Sequence, residues 1–101
     1  MYKKIVKEFK RNPRDVHTVP LVKKTYKWFY VSVDRDKLYV ESARDHTPKC
    51  SVKRRILLEK ECNEILSIYH RRSRGEKVSV EAQECTLSQV YWYGIFAELN
   101  L

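Results

Sequence analysis

The stretch T-Y-K-W-F-Y-V-S-V-D-R-D-K-L-Y-V-E-S-A, residues 25–43, does most to limit what this chain can become. Aromatic and β-branched residues dominate it, and Tyr30, Ser32 and Asp34 alternate with Val31 and Val33. A period of two marks a strand with one buried face. The polar interruption Asp-Arg-Asp-Lys splits the run and predicts a hairpin turning near Arg35 and Asp36. The next residues, A-R-D-H-T-P-K, read as a loop, since Pro48 fits poorly in a central strand. C-S-V-K-R-R-I-L-L-E then supplies a third strand, with Ile56, Leu57 and Leu58 at its buried end.

On either side of this β region the period is helical. Tyr2, Ile5, Val6 and Phe9 fall at i, i+3, i+4 and i+7, with Lys3, Lys4, Lys7 and Lys10 on the other side. Pro13 stops that helix, and a linker follows through Pro20. Downstream, Cys62, Ile65, Leu66 and Tyr69 form a stripe from Lys60 to about Arg71. Acidic residues stand at its start and Arg71, Arg72 and Arg74 at its end, as the helix dipole favours. A second helix is expected from Ser79, as N-cap, to about Val90, burying Ala82, Cys85 and Leu87. Gly94 is expected to break the chain before a last helix in I-F-A-E-L-N-L. The sketch is α+β: an N-terminal helix at 1–11, a small three-stranded antiparallel sheet within 25–58, and two or three short helices within 60–101. At 101 residues this is the size of one module.

No apolar run is long enough to span a bilayer, so no membrane is expected. The basic amphipathic start could suit a mitochondrial presequence, but Glu8 and the scarcity of serine argue against it. Three scattered cysteines without a Cys-x-x-Cys pair signal neither a disulfide framework nor a zinc knuckle, and fit a reducing compartment. The net charge of +8 is unevenly spread: Glu8 and Asp15 are the only acids among the cations of residues 1–28, whereas residues 59–101 are net acidic. The basic half favours polyanions in general, and a solubilising surface explains it equally well.

Catalytic motifs are absent. The two glycines make no phosphate-cradling loop, and no nucleophile elbow or paired-acid pattern occurs. Cys50 follows His46 by four residues in a proline-containing loop, which is weak ground for a thiol-imidazole pair. The chain reads as a non-enzyme with no small-molecule substrate. Cys62 and Cys85 fit best as small buried hydrophobes, because no close ligand pair accompanies them and His70. Tyr26, Trp28, Phe29 and Tyr30 lie among Lys23, Lys24 and Lys27, the composition that stacks single-stranded bases and binds phosphate. Most of these rings are expected in the core, and one facing outward would change that reading.

R-R-I-L-L-E-K-E-C-N-E-I-L-S-I-Y-H followed by R-G-E-K-V-S-V-E-A-Q-E-C-T-L-S-Q-V-Y-W-Y-G-I-F-A-E-L resembles the zinc-binding N-terminal domain of retroviral and gypsy-type retrotransposon integrases, including copies domesticated in host genomes. In that family a helix ends in a ligand histidine, a Gly-His follows, then a helix, a Tyr-Trp-x-Gly signature and a helix with Cys-x-x-Cys. Aligning on Tyr91, Trp92 and Gly94 sets Gly75 and Glu76 on the Gly-His and brings His70 near the first ligand position. The upstream hairpin also looks like the small sheet preceding this domain in gypsy-type integrases. Glu76 replaces the second histidine and no Cys-x-x-Cys follows A-E-L-N, so the resemblance implies a degenerate site without zinc or other cofactor.

The family's catalytic acids sit in another domain, so no strand transfer is implied. The resemblance implies a non-catalytic, nuclear, retrotransposon-derived module binding DNA through its basic half. The candidate contacts are Lys23, Lys24, Lys27, Lys53, Arg54, Arg55, Arg71, Arg72 and Arg74. The alternative is a protein-interaction or homodimerisation module in a chromatin or transposon-related complex without DNA contact.

Overall fold

The computed structural model describes residues 1–21 and 25–101. Its elements are α1 (Tyr2–Arg11), β1 (Arg14–His17), β2 (Trp28–Asp34), β3 (Lys37–Ser42), β4 (Arg55–Leu57), α2 (Glu59–Ser73), α3 (Ser79–Cys85) and α4 (Gln89–Glu98). The class is α+β, as the sequence suggests, but the sheet has four strands, in the antiparallel order β1-β2-β3-β4.

The extra strand comes from the expected linker. Arg-Asp-Val-His holds one apolar residue and so shows no alternation; pairing supplies the pattern by setting Val16 opposite Phe29, both fully buried. The hairpin turns where expected. Asp34 pairs with Lys37, and Arg35 (φ 50°) and Asp36 (φ 59°) both take left-handed backbone, the type I′ geometry whose twist matches the flanking strands. The expected third strand shrinks to β4. Its earlier part runs beside Trp28 instead: the Trp28 N–H donates to the Pro48 carbonyl, and the Cys50 N–H to the Trp28 carbonyl, each at 2.8 Å.

One face of the sheet carries Val16, Phe29, Val31, Leu38, Val40 and Leu57, all essentially inaccessible. The helices cover this face. α1 buries Tyr2, Ile5, Val6 and Phe9 as its spacing predicts. The Tyr2 hydroxyl donates to the Leu57 carbonyl at 2.8 Å and accepts from the Leu38 N–H at 2.9 Å, pinning the start of α1 to β3 and β4. Fully buried Trp92 fills the helical side, its ring 5.5 Å from Phe96 and its Nε1–H donating to Glu61 at 3.1 Å. No helix among the described residues is long and apolar enough to cross a membrane.

Four helical expectations are corrected. Val78, not Ser79, is the N-cap of α3, and no side chain caps it. The helix stops at Cys85, because Thr86 is extended (φ −161°, ψ 146°) and its Oγ1 accepts from the Ser88 N–H at 2.9 Å. Leu87, in that turn, is 82% exposed instead of buried. Gly94 does not break a helix but lies inside α4. A Cβ there would sit 2.6 Å from the His17 carbonyl oxygen and 3.0 Å from the Phe29 ring, so glycine lets α4 press directly onto β1 and β2. Close approach, not a turn, is its reason.

Candidate nucleic-acid interface

Because side chains alternate along a strand, burying Phe29 and Val31 sends Trp28 and Tyr30 to the opposite face of the sheet. On β3, burying Leu38 and Val40 does the same for Tyr39. All three outward rings are half-buried. Trp28 and Tyr30 are about 7 Å apart along one strand, and Tyr39, paired with Ser32, is about as far again on the diagonal. They form an ordered diagonal of platforms.

Cations accompany them. The Arg44 guanidinium lies 3.8 Å from the Tyr30 ring centroid, and that of Arg54 lies 3.8 Å from the Tyr39 ring. A guanidinium stacked on a ring keeps its N–H edge directed outward, where a phosphate can be gripped in bidentate fashion. Each is held otherwise by one carboxylate, half-buried Glu41 at 3.3 Å and exposed Asp34 at 3.2 Å, contacts worth about 0–1 kcal/mol. Both arms are free to exchange partners.

At the other end of the diagonal, His46 stacks on Trp28 at 4.0 Å and 20°, and the His17 and Tyr26 rings extend the cluster. Asp15 holds this end together from beneath, its side chain 1% exposed. It accepts from the backbone N–H groups of Arg44, Asp45 and His46 at 2.8–3.1 Å and from His46 Nδ1 at 2.8 Å, which fixes the proton on Nδ1. Burial alone would raise the Asp15 carboxyl, but these hydrogen bonds outweigh it and hold the group below the usual aspartate range. One carboxylate thereby places both Arg44 and His46.

The structure sorts the cations singled out in the sequence. Lys23 and Lys24 lie outside the described residues. Lys27 and Lys53 are exposed, and Arg54 lies over Tyr39 on the ring-bearing face. Arg55 points to the helical side, 3.4 Å from the Ser88 hydroxyl and 5.9 Å from the Tyr91 ring. Arg71 is clamped by Glu81 at 2.6 Å and Glu76 at 3.2 Å, which raises its pKa still further. The Arg72 guanidinium donates to the Val19 carbonyl at 2.6 Å and covers the Tyr93 ring at 4.5 Å. Arg74 reaches Glu76 at 3.5 Å. The arginines at the end of α2 are braces, remote from the ring diagonal.

Sequence reading missed Tyr39, Arg44 and Asp15. Alternation in L-Y-V-E-S would have placed Tyr39 outward, whereas Arg44 and Asp15 meet only through the fold. His70 is exposed at the end of α2, and Glu76, at the second ligand position, is taken up by Arg71 and Arg74. No group of three or more His, Cys, Asp or Glu converges among the described residues. The thiol-imidazole pairing of Cys50 with His46 does not form: the His46 ring rests on Trp28 with Nδ1 on Asp15, and burial pushes the Cys50 thiol pKa up. Burial likewise raises Cys62 and Cys85 to about 11, which suppresses thiolate. No protein-family model, curated protein or solved structure matches this chain, so the reading of the face rests on its own chemistry.

Proposed function

We propose that this chain is a non-catalytic module that binds single-stranded nucleic acid, DNA or RNA, on the outward face of its sheet. The observation carrying the reading is the diagonal Trp28, Tyr30 and Tyr39 with Arg44 and Arg54 laid over two of the rings. Unpaired bases stack on Tyr30 and Tyr39 as the loosely held guanidiniums swing from the rings to the phosphates between them, each stack being worth about 1–3 kcal/mol. Lys27 and Lys53 add to the field. A duplex, whose bases are stacked on one another, offers these rings nothing.

The integrase resemblance, with the nuclear location it implies, is proposed as ancestry only; the binding reading does not need it. The test is fluorescence anisotropy with a labelled oligonucleotide. Single strands are expected to bind with affinity falling steeply as salt rises, and at least tenfold more tightly than duplex, with the Tyr30→Ala/Tyr39→Ala variant losing at least tenfold. Equal affinity for duplex, or an unchanged double variant, would overturn the reading.

A second reading, docking of a protein partner or a second copy, is favoured by one feature of the helical side. A groove of about 820 Å³ runs between Val19–Pro20 and the α3–α4 region, lined by Val78, Val80, Val90 and Tyr93. The Gln89 side-chain amide oxygen Oε1, buried beside it, has no hydrogen-bond partner among the described residues. A monomer mass independent of concentration, with no partner recovered by affinity capture, would remove this alternative.

A further inference from the structure

Between the outer side of α1 and the β2–β3 turn lies a second groove, about 520 Å³, lined by Lys3, Lys7, Lys10, Arg35 and Lys37, with Asp36 and Glu59 as its acids. Helical spacing stacks Lys3, Lys7 and Lys10 on one side of α1, and the type I′ turn presents Arg35 and Lys37 opposite. Asp36 is already matched by Lys10 at 3.1 Å. The groove is therefore strongly cationic, and Lys3 and Lys7 make no ion pair among the described residues. Its floor of Tyr2 and Val6 is apolar, with the Tyr2 hydroxyl committed to Leu57 and Leu38. Such a groove suits a flexible polyanion better than a discrete small ligand, because the cations form a row and no polar group converges on one point.

This groove and the ring diagonal meet at one place. Lys37 pairs with Asp34 across the turn, and Asp34 binds Arg54, the guanidinium that covers Tyr39. Lys37 thus belongs by register to the ring-bearing face and also lines the groove. From Trp28 to the turn is roughly 20 Å of strand, and from Lys10 back to Lys3 is roughly 10 Å of helix.

We infer that a single nucleic-acid strand bound on the sheet face continues around the β2–β3 turn, and that its phosphodiester backbone lies in the groove beside α1, held by Lys3, Lys7, Arg35 and Lys37. The inference rests on the sheet-face reading and adds to it a directional extension of the site. The face holds bases; the groove holds phosphates only. Contacts along α1 are therefore with phosphate alone, whereas those at Tyr30 and Tyr39 are with base faces.

The experiment measures the affinity of homothymidine strands of increasing length against the intact chain and its Lys3→Gln/Lys7→Gln variant, across a salt series. In the intact chain affinity rises from four to about eight nucleotides. The variant binds the four-nucleotide strand like the intact chain and the eight-nucleotide strand about tenfold more weakly. Its log–log salt slope is shallower by about 1.4, which is two phosphate contacts on a single strand. An inorganic polyphosphate chain competes with the longer strand more than with the shorter one. If four nucleotides already saturate the affinity, or the variant's slope is unchanged while Tyr30→Ala/Tyr39→Ala still abolishes binding, the extension is wrong and the sheet-face reading survives. If neither strand binds, both fall. Thermal melting of the glutamine variant, whose substitutions are exposed and helix-compatible, verifies that fold is not the cause.

Discussion

Arg54 and Arg72 look alike in sequence and in geometry, since each belongs to a basic run and each lies over an aromatic ring, at 3.8 Å and 4.5 Å. Their surroundings separate them. Arg72 ends on a part-buried backbone carbonyl, that of Val19, and ties α2 to the segment after β1. Arg54 ends on Asp34, a carboxylate 55% exposed that water satisfies equally well. The first guanidinium is built into the fold, and the second is parked on it. Charge alone, therefore, does not distinguish a brace from a binding group; what the far end of the side chain touches does.

The comparison extends to the two sides of the molecule, and its sharpest test is packing on the helical side. Gly94→Ala drives a methyl group into the His17 carbonyl and the Phe29 ring, and α4 must lift off β1. A loss of about 3 kcal/mol in denaturant unfolding is expected, as for an overpacked core. Tolerance of alanine there would show that the two sides are less differently packed than described.

Asp15 is the exception on the ring-bearing side, a buried anchor among exposed arms. Asp15→Ala leaves three N–H groups and the His46 ring without their acceptor, and about 2–3 kcal/mol of stability is expected to go with it. Its pH dependence has a definite sign. The carboxyl is lower in the folded chain than in the unfolded one, so its contribution is complete above the ordinary aspartate pKa near 4 and disappears as pH falls through the lower folded value. Glu8, lowered first by Arg11, and Glu81, lowered by Arg71, titrate in the same direction. Acid unfolding followed by circular dichroism should therefore be blunted, not abolished, in Asp15→Asn.

Arg72→Ala against Arg54→Ala tests the comparison itself. The first is expected to cost about 2 kcal/mol of stability with little effect on oligonucleotide affinity. The second is expected to stay within about 0.5 kcal/mol in stability and to weaken single-strand binding severalfold. Reversed outcomes would exchange the roles assigned to the two residues. The smallest effect is at the turn: Asp36→Gly relieves a left-handed non-glycine residue and should raise stability by about 0.5–1 kcal/mol, since the Lys10 contact it loses is largely solvated.

Much of the frame was legible in the chain because local pattern and tertiary burial agree there. The hairpin at Arg35–Asp36 and the stripe of α1 follow from periods of 2 and 3.6. β1 was not legible, because a strand of four residues with one apolar side chain acquires its alternation only from its neighbour. Gly94 was misread because a glycine needed for close approach looks, in sequence, like a glycine needed for a turn. At the site, the rings Trp28 and Tyr30 were visible in a run whose alternation decides which face outward. Arg44 came from a segment read as a loop, and it is aligned on Tyr30 by Asp15, distant in sequence.

The ring diagonal can be interrogated directly, because the chain has two tryptophans and only one of them is on the outer face: Trp92 is fully buried, and Trp28 is half-exposed under His46. Titrating a single-stranded oligonucleotide at low salt should quench the emission of Trp28 saturably; the quench is lost in Trp28→Phe and is partly reversed as salt rises. Binding that leaves Trp28 emission untouched would place the nucleic acid elsewhere on the molecule and contradict the assignment of the sheet face.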